Sequence, residues 1–70
     1  MQKTMKITGM MCVRCEAHVK KALEALPGVA SAEVSHERGE AVVTLSAPVE
    51  NGVLRQAVEA EDYGVTEIIG

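Results

Sequence analysis

The chain has 70 residues, a formal net charge of −3 at pH 7, two cysteines and one aromatic residue, Tyr63. Its 47% hydrophobic content indicates a folded core of aliphatic side chains and argues against a disordered chain. The acidic balance and the scarcity of aromatic residues argue against a nucleic-acid-binding surface. A chain this short is expected to form one domain over residues 1–70, without a deep substrate cavity.

The first two predicted elements are a strand and a helix. In residues 3–8, apolar Met5 and Ile7 alternate with polar residues, which is the period of a half-buried strand. Residues 13–26 carry an apolar stripe at helical spacing, and a Pro-Gly pair then ends the helix. The stripe consists of Val19, Ala22, Leu23 and Leu26.

A β-hairpin is predicted after the first helix. Its strands are residues 29–35 and 40–46, and the turn runs from His36 to Gly39, where glycine can adopt a positive φ. Alternation predicts the inward-facing residues of both strands. These are Ala30, Ala32 and Val34 in the first strand and Ala41, Val43 and Leu45 in the second.

The remaining residues are predicted to form a second helix and a closing strand. The helix follows Pro48 and begins between Val49 and Gly52. Residues 63–69 form the last strand, whose buried face alternation does not define. The order βαββαβ predicts an α+β, ferredoxin-like, two-layer sandwich, with two helices on one face of an antiparallel four-stranded sheet. The buried stripe of the second helix is Leu54, Ala57 and Val58.

Candidate chemistry is concentrated in residues 9–15, where Cys12 and Cys15 form a Cys-x-x-Cys motif. Cys12 is predicted in the loop and Cys15 in the first helical turn, so both sulfurs can converge on one point. The free N–H groups of the helix start favour thiolate and lower the cysteine pKa, and Arg14 adds positive charge nearby. Thiolates are soft ligands that select ions such as Cu(I) and Zn(II) over hard cations.

The spacing of the cysteines alone leaves several functions open. Structural zinc needs four ligands, whereas His18 is predicted one helical turn further in and His36 in the distant hairpin turn. Both histidines are therefore interpreted as non-ligands, and two thiolates suffice for two-coordinate Cu(I). A disulfide or a thiol–disulfide oxidoreductase is the alternative. A thioredoxin-like enzyme needs a longer chain, and Val13-Arg14 differs from the Gly-Pro pair of that motif.

Residues 9–29, GMMCVRCEAHVKKALEALPGV, resemble the metal-binding loop and first helix of the heavy-metal-associated domain family. This family includes bacterial copper chaperones and soluble domains of copper-transporting P-type ATPases. The resemblance implies that Cys12 and Cys15 are the metal ligands and that Met10 packs beneath the loop without ligating. Met11 stands where the family often has Thr.

The same resemblance places Tyr63 near the metal loop, where it either shields the thiolates or caps the core. Asp62 and Gly64 depart from the commonest Gly-Tyr-Asp order of the family around this residue.

The function implied by the resemblance is non-enzymatic transfer of Cu(I) by thiolate exchange. The expected partner is a copper-transporting P-type ATPase or its cognate chaperone, and shared copper could bridge two copies of this chain. Carriage of Hg(II), Zn(II) or Cd(II) is an alternative. The sequence shows no signal peptide and no membrane span, so a cytoplasmic location is expected.

Overall fold

A computed structural model describes all 70 residues, and its elements follow the predicted order βαββαβ. The four strands form one antiparallel sheet in the order β2-β3-β1-β4. The predicted ferredoxin-like fold is therefore confirmed. The elements are β1 (Gln2–Thr8), α1 (Val13–Glu24), β2 (Val29–Ser35), β3 (Glu40–Leu45), α2 (Asn51–Glu59) and β4 (Gly64–Ile69).

One cluster of 11 buried hydrophobic residues joins the sheet to both helices. Because the buried residues of α1 and α2 belong to the same cluster, both helices cover the same face of the sheet. No polar or charged residue is buried, so the core needs no internal hydrogen bonds between side chains. The cluster contains Met5, Ile7, Met10, Val19, Leu23, Ala32, Ala41, Val43, Leu45, Leu54 and Val58.

α1 ends at Glu24, two residues before the predicted end at residue 26. Proline disfavours helical backbone in the residue before it, and Pro27 imposes that restriction on Leu26. The Leu26 N–H instead donates to the Leu23 carbonyl at 3.1 Å, which tightens the last turn. The Leu26 side chain still packs against the core, so the apolar stripe extends beyond the helix.

The inward-facing prediction for β2 is wrong at Ala30, which is exposed. Val29 pairs with Leu45 and Ser31 with Thr44, so Ala30 is an extra residue in a β-bulge. The bulge shifts the alternation by one residue, and Val29 packs against the core instead. Beyond the bulge, Ala32 is buried as predicted.

A second bulge explains why alternation does not define the buried face of β4. Lys6 pairs with Glu67 and the next residue, Ile7, pairs with Val65, which leaves Thr66 as the extra residue. Val65 and Ile68 therefore both pack against the core although they are three residues apart. The strand begins at Gly64, one residue later than predicted.

We expect Leu54→Ala to lower the free energy of unfolding by about 2–5 kcal/mol, because it leaves a cavity under α2. Urea denaturation should show an earlier midpoint with an unchanged slope. Val53→Ala is the matched control, since Val53 lies next to Leu54 in α2 but is 40% exposed, whereas Leu54 is 0% exposed. Equal destabilisation by the two substitutions would contradict this description of the core.

Candidate metal centre

The loop between β1 and α1 directs alternate side chains into and away from the core. Gly9 has a φ of +95°, a conformation open to glycine but costly for other residues. The next side chain, Met10, is 8% exposed and belongs to the core cluster, as the family resemblance implied. Met11 is 84% exposed. Packing of Met10 in the core thus fixes the loop on one side, and the other side of the loop is open to solvent.

The two cysteines lie where this loop enters α1. Cys12 is the N-cap residue, with extended backbone at φ −159° and ψ 176°, and Cys15 is in the first turn. The Cys15 N–H donates to the Cys12 carbonyl at 3.1 Å. This turn brings the two Sγ atoms to 3.8 Å from each other, and both thiols are free. The predicted convergence of the two sulfurs is therefore present.

The two sulfurs have different surroundings. Cys12 is exposed, whereas Cys15 is half-buried and packs against the core. Cys15, Val19 and Leu23 follow one another at a spacing of four residues, so they lie on one face of α1. Packing of the helix on the sheet therefore orients Cys15, while Cys12 stays open to solvent.

Tyr63 lies beside this site, in the connection between α2 and β4. Its ring passes against Gly9, with Cδ1 at 3.4 Å from the position that a side-chain Cβ would occupy on that glycine. Its hydroxyl lies near enough to the Cys15 sulfur to affect the pKa of that thiol. Tyr63 also packs against the core, so the structure agrees with both of the roles left open for this residue.

Hydrogen bonds lower the pKa of Cys15 from 9.0 to about 7. The largest contribution comes from the Tyr63 hydroxyl, followed by the backbone amide of Met11, with a smaller one from the amide of Cys12. Donors that face the sulfur favour its charged form. Arg14 is not among the groups that shift this pKa. The same contact raises the pKa of Tyr63 to about 12, because a phenolate could not donate to the sulfur.

Asp62 explains how an unusual sequence around Tyr63 still forms this contact. The residue has a φ of +70°, in the left-handed region that glycine normally occupies. Asp tolerates this region better than most residues because its short side chain is polar. The departure from the family's Gly-Tyr order therefore leaves Tyr63 in place.

Neither histidine joins the cysteines. His18 is exposed and lines a surface cleft of ≈ 390 Å³ with Lys21 and Glu61, and the cysteines do not line that cleft. His36 lies in the hairpin turn as predicted, and this turn is closer to the start of α1 than expected. Its backbone N–H and its ring Nδ1 both contact the Glu16 carboxylate, the N–H at 2.7 Å.

The contact between Glu16 and His36 is a feature that sequence reasoning missed. It joins the residue after Cys15 to the β2–β3 turn, and the backbone amide of His36 holds the pKa of Glu16 below 4.5. The two residues are 20 positions apart, so no local pattern pairs them. The only sequence signal is an acidic residue in the first helical turn, which is common at helix starts.

No group of three or more His, Cys, Asp or Glu side chains converges anywhere in the chain. The candidate site therefore offers two thiolates from these residue types. This donor set suits soft metal ions that accept low coordination numbers, and it does not suit structural zinc with four protein ligands.

The model of the heavy-metal-associated domain matches residues 4–64 of this chain. The chain belongs to the heavy-metal-associated domain family. Domains of this family bind heavy metal ions and are not catalytic, which agrees with the prediction of a non-enzymatic function. The two helices, of 12 and 9 residues, are both too short to span a membrane.

Two curated relatives handle different metals. A mercuric reductase of Shigella flexneri is 44% identical over 63 residues, which cover 90% of this domain and 11% of the reductase. Copper-transporting ATPase 2 of Rhizobium meliloti is 40% identical over 60 residues, which cover 84% of this domain and 7% of the ATPase. The domain thus spans about a tenth of the length of these relatives.

Two solved structures superpose closely on this domain. The CopZ metallochaperone superposes with a TM-score of 0.89 at 31% identity, covering 94% of this domain and 100% of CopZ. The Hg(II) complex of the N-terminal domain of Tn501 mercuric reductase gives a TM-score of 0.79 at 44% identity, with 90% and 91% covered. These comparisons support the family and its binding of soft metal ions.

We expect Tyr63→Phe to raise the pKa of Cys15 from about 7 toward 9.0, because it removes the hydroxyl and keeps the ring against Gly9. The measurement is the rate of alkylation by iodoacetamide as a function of pH, since only the thiolate reacts. A Cys12→Ser background leaves Cys15 as the reacting thiol. His18→Ala in that background is the control and should leave the inflection unchanged, and an unmoved inflection in Tyr63→Phe would contradict the assignment.

Proposed function

We propose that this domain carries Cu(I) on the thiolates of Cys12 and Cys15 and passes it to a partner protein by thiolate exchange. The observation that carries this proposal is the pair of Sγ atoms 3.8 Å apart, one half-buried and one exposed. The half-buried sulfur gives the ion a fixed ligand. The exposed sulfur leaves the ion accessible to an incoming ligand.

The spacing of the sulfurs suits transfer. With metal–thiolate bonds of about 2.3 Å, sulfurs this far apart subtend an angle of roughly 110° at the ion. An ion held in a bent arrangement has an open side, where a partner thiolate can bind before a thiolate of this domain leaves. The incoming thiol loses a proton and the departing thiolate gains one, so the ion moves without any change in its oxidation state.

The helix N-terminus favours Cu(I) over Hg(II) as the cargo. Cu(I) bound by two thiolates carries one net negative charge, whereas Hg(II) bound by two thiolates carries none. The start of α1 presents free N–H groups and partial positive charge, which stabilise an anion. This preference supports copper although the mercuric reductase relative has the higher identity.

The proposed partner is the metal-binding domain of a copper-transporting P-type ATPase. If the chain is itself part of such an ATPase, the partner is the chaperone that loads it. The proposed setting is the cytoplasm, where reducing conditions keep both thiols free. A copper ion shared between two copies of this chain would use the same open coordination position as the transfer intermediate.

Hg(II) is the second candidate cargo, favoured by the 44% identity to mercuric reductase and to its Hg(II)-bound N-terminal domain. Affinity alone does not separate the two metals, since any dithiolate holds both. Deletion of the gene in its native host separates the two metals. A deletion strain that is sensitive to copper supports the Cu(I) proposal, and a strain that is sensitive to mercury alone overturns it. A thiol–disulfide oxidoreductase gains no support from these relatives, whose names describe metal handling.

We expect Cys12→Ser and Cys15→Ser each to weaken Cu(I) binding by at least about 100-fold, because one thiolate cannot hold the ion alone. Competition with a Cu(I) chelator of known affinity measures this loss. His18→Ala is the matched control, since it removes an exposed donor of the same helix and should bind as the wild type does. Wild-type affinity in both cysteine variants would refute the proposed function.

A further inference from the structure

Two sulfurs 3.8 Å apart would hold an ion in a bent arrangement, which leaves a coordination position open for a third donor from this chain. The charged and imidazole side chains do not supply it, because no His, Asp or Glu converges with the cysteines. Tyr63 does not supply it either. A phenol oxygen is a hard donor, and Cu(I) prefers soft sulfur ligands.

The remaining soft donors near the site are the sulfurs of Met10 and Met11. Met10 is 8% exposed and anchored in the core, so it cannot turn outward without unpacking the loop. Met11 is 84% exposed and immediately precedes Cys12. Its side chain contributes little to the core, and methionine has three rotatable bonds that let its sulfur reach different positions.

The backbone places Met11 within reach of a bound ion. Met11 directly precedes Cys12 along the chain, which puts the Met11 Cα about 3.8 Å from that of a proposed ligand residue. The Met11 Sδ is separated from this Cα by three bonds. An unhindered side chain of that length can place its sulfur on the open side of an ion held by Cys12 and Cys15.

On the basis of the proposed function, we propose that the Met11 thioether is a third ligand to Cu(I), completing a site of two thiolates and one thioether. Thioethers are among the soft ligands that select Cu(I). The thioether is neutral and releases no proton when it binds. During transfer the bond from copper to Met11 breaks as the bond to the partner thiolate forms. Before transfer, the Met11 thioether therefore occupies the coordination position that the partner thiolate later takes.

Selenomethionine labelling tests this bond directly. X-ray absorption at the selenium edge of the labelled, Cu(I)-loaded protein should show a copper neighbour, and this signal should disappear in labelled Met11→Leu. The other three methionines remain in both samples and serve as internal references. Absence of a copper neighbour in the labelled wild-type protein overturns the proposal.

Cu(I) affinity supplies the second measurement. Met11→Leu keeps the size and apolar character of the side chain and should weaken Cu(I) binding by about tenfold. Val13→Leu is the matched control, because that residue is 67% exposed on the other side of Cys12 and has no sulfur. It should bind copper with wild-type affinity, and an equal loss in both variants overturns the proposal.

The two proposals fail in different ways. If the Cys12→Ser and Cys15→Ser variants bind Cu(I) as the wild type does, the proposed dithiolate site is wrong, and the third ligand is wrong with it. If Cu(I) binding depends on both cysteines, but there is no copper–selenium contact and Met11→Leu loses no affinity, only the proposal of a third ligand is wrong.

Discussion

Burial of the Met10 side chain fixes the loop from which the candidate metal centre is built. Because this residue belongs to the same cluster as the strands and helices, the path from β1 into α1 is set by the core. The positive φ of Gly9 before it and the extended backbone of Cys12 after it then turn the cysteines toward the surface. The position of the sulfurs thus depends on packing beneath the loop.

The core also makes the two cysteines unequal. Cys15 continues the buried face of α1, and hydrogen bonding by Tyr63 and the loop backbone lowers the pKa of its thiol to about 7. The hydrogen bonds stabilise its thiolate near neutral pH without a neighbouring cationic side chain. Cys12 lies outside this arrangement and is exposed. Under the proposed function, an incoming ligand therefore meets copper on the Cys12 side of the site.

Sequence reasoning succeeded where structure depends on neighbours along the chain. The alternation of β1 and β3, the stripe of α1 and the order of elements follow from local periodicity and chain-breaking residues. It failed at Ala30 and left β4 undefined because bulges depend on the pairing of one strand with another. The contact between Glu16 and His36 was missed for the same reason, since the topology brings these residues together.

The cysteine pair shows a different limit of sequence reasoning. The motif and its helical context predict a thiolate site, and the structure brings the two sulfurs together. The choice between soft metals does not follow from the motif, because two thiolates accept several of them. That choice depends on charge at the helix start, on further ligands and on the partner, and none of these is encoded in the Cys-x-x-Cys spacing.

Under the proposed function, the sulfur of Cys12 occupies a position where another residue would stabilise α1. Ser, Thr, Asp and Asn are favoured at an N-cap because their oxygens accept a first-turn N–H, and losing such a cap costs about 1 kcal/mol. Cys12 occupies this position without a side-chain cap, as does Glu50 at the start of α2. A more heat-stable form can therefore gain a capping residue at the start of α2, whereas under the proposed function the start of α1 must keep its sulfur.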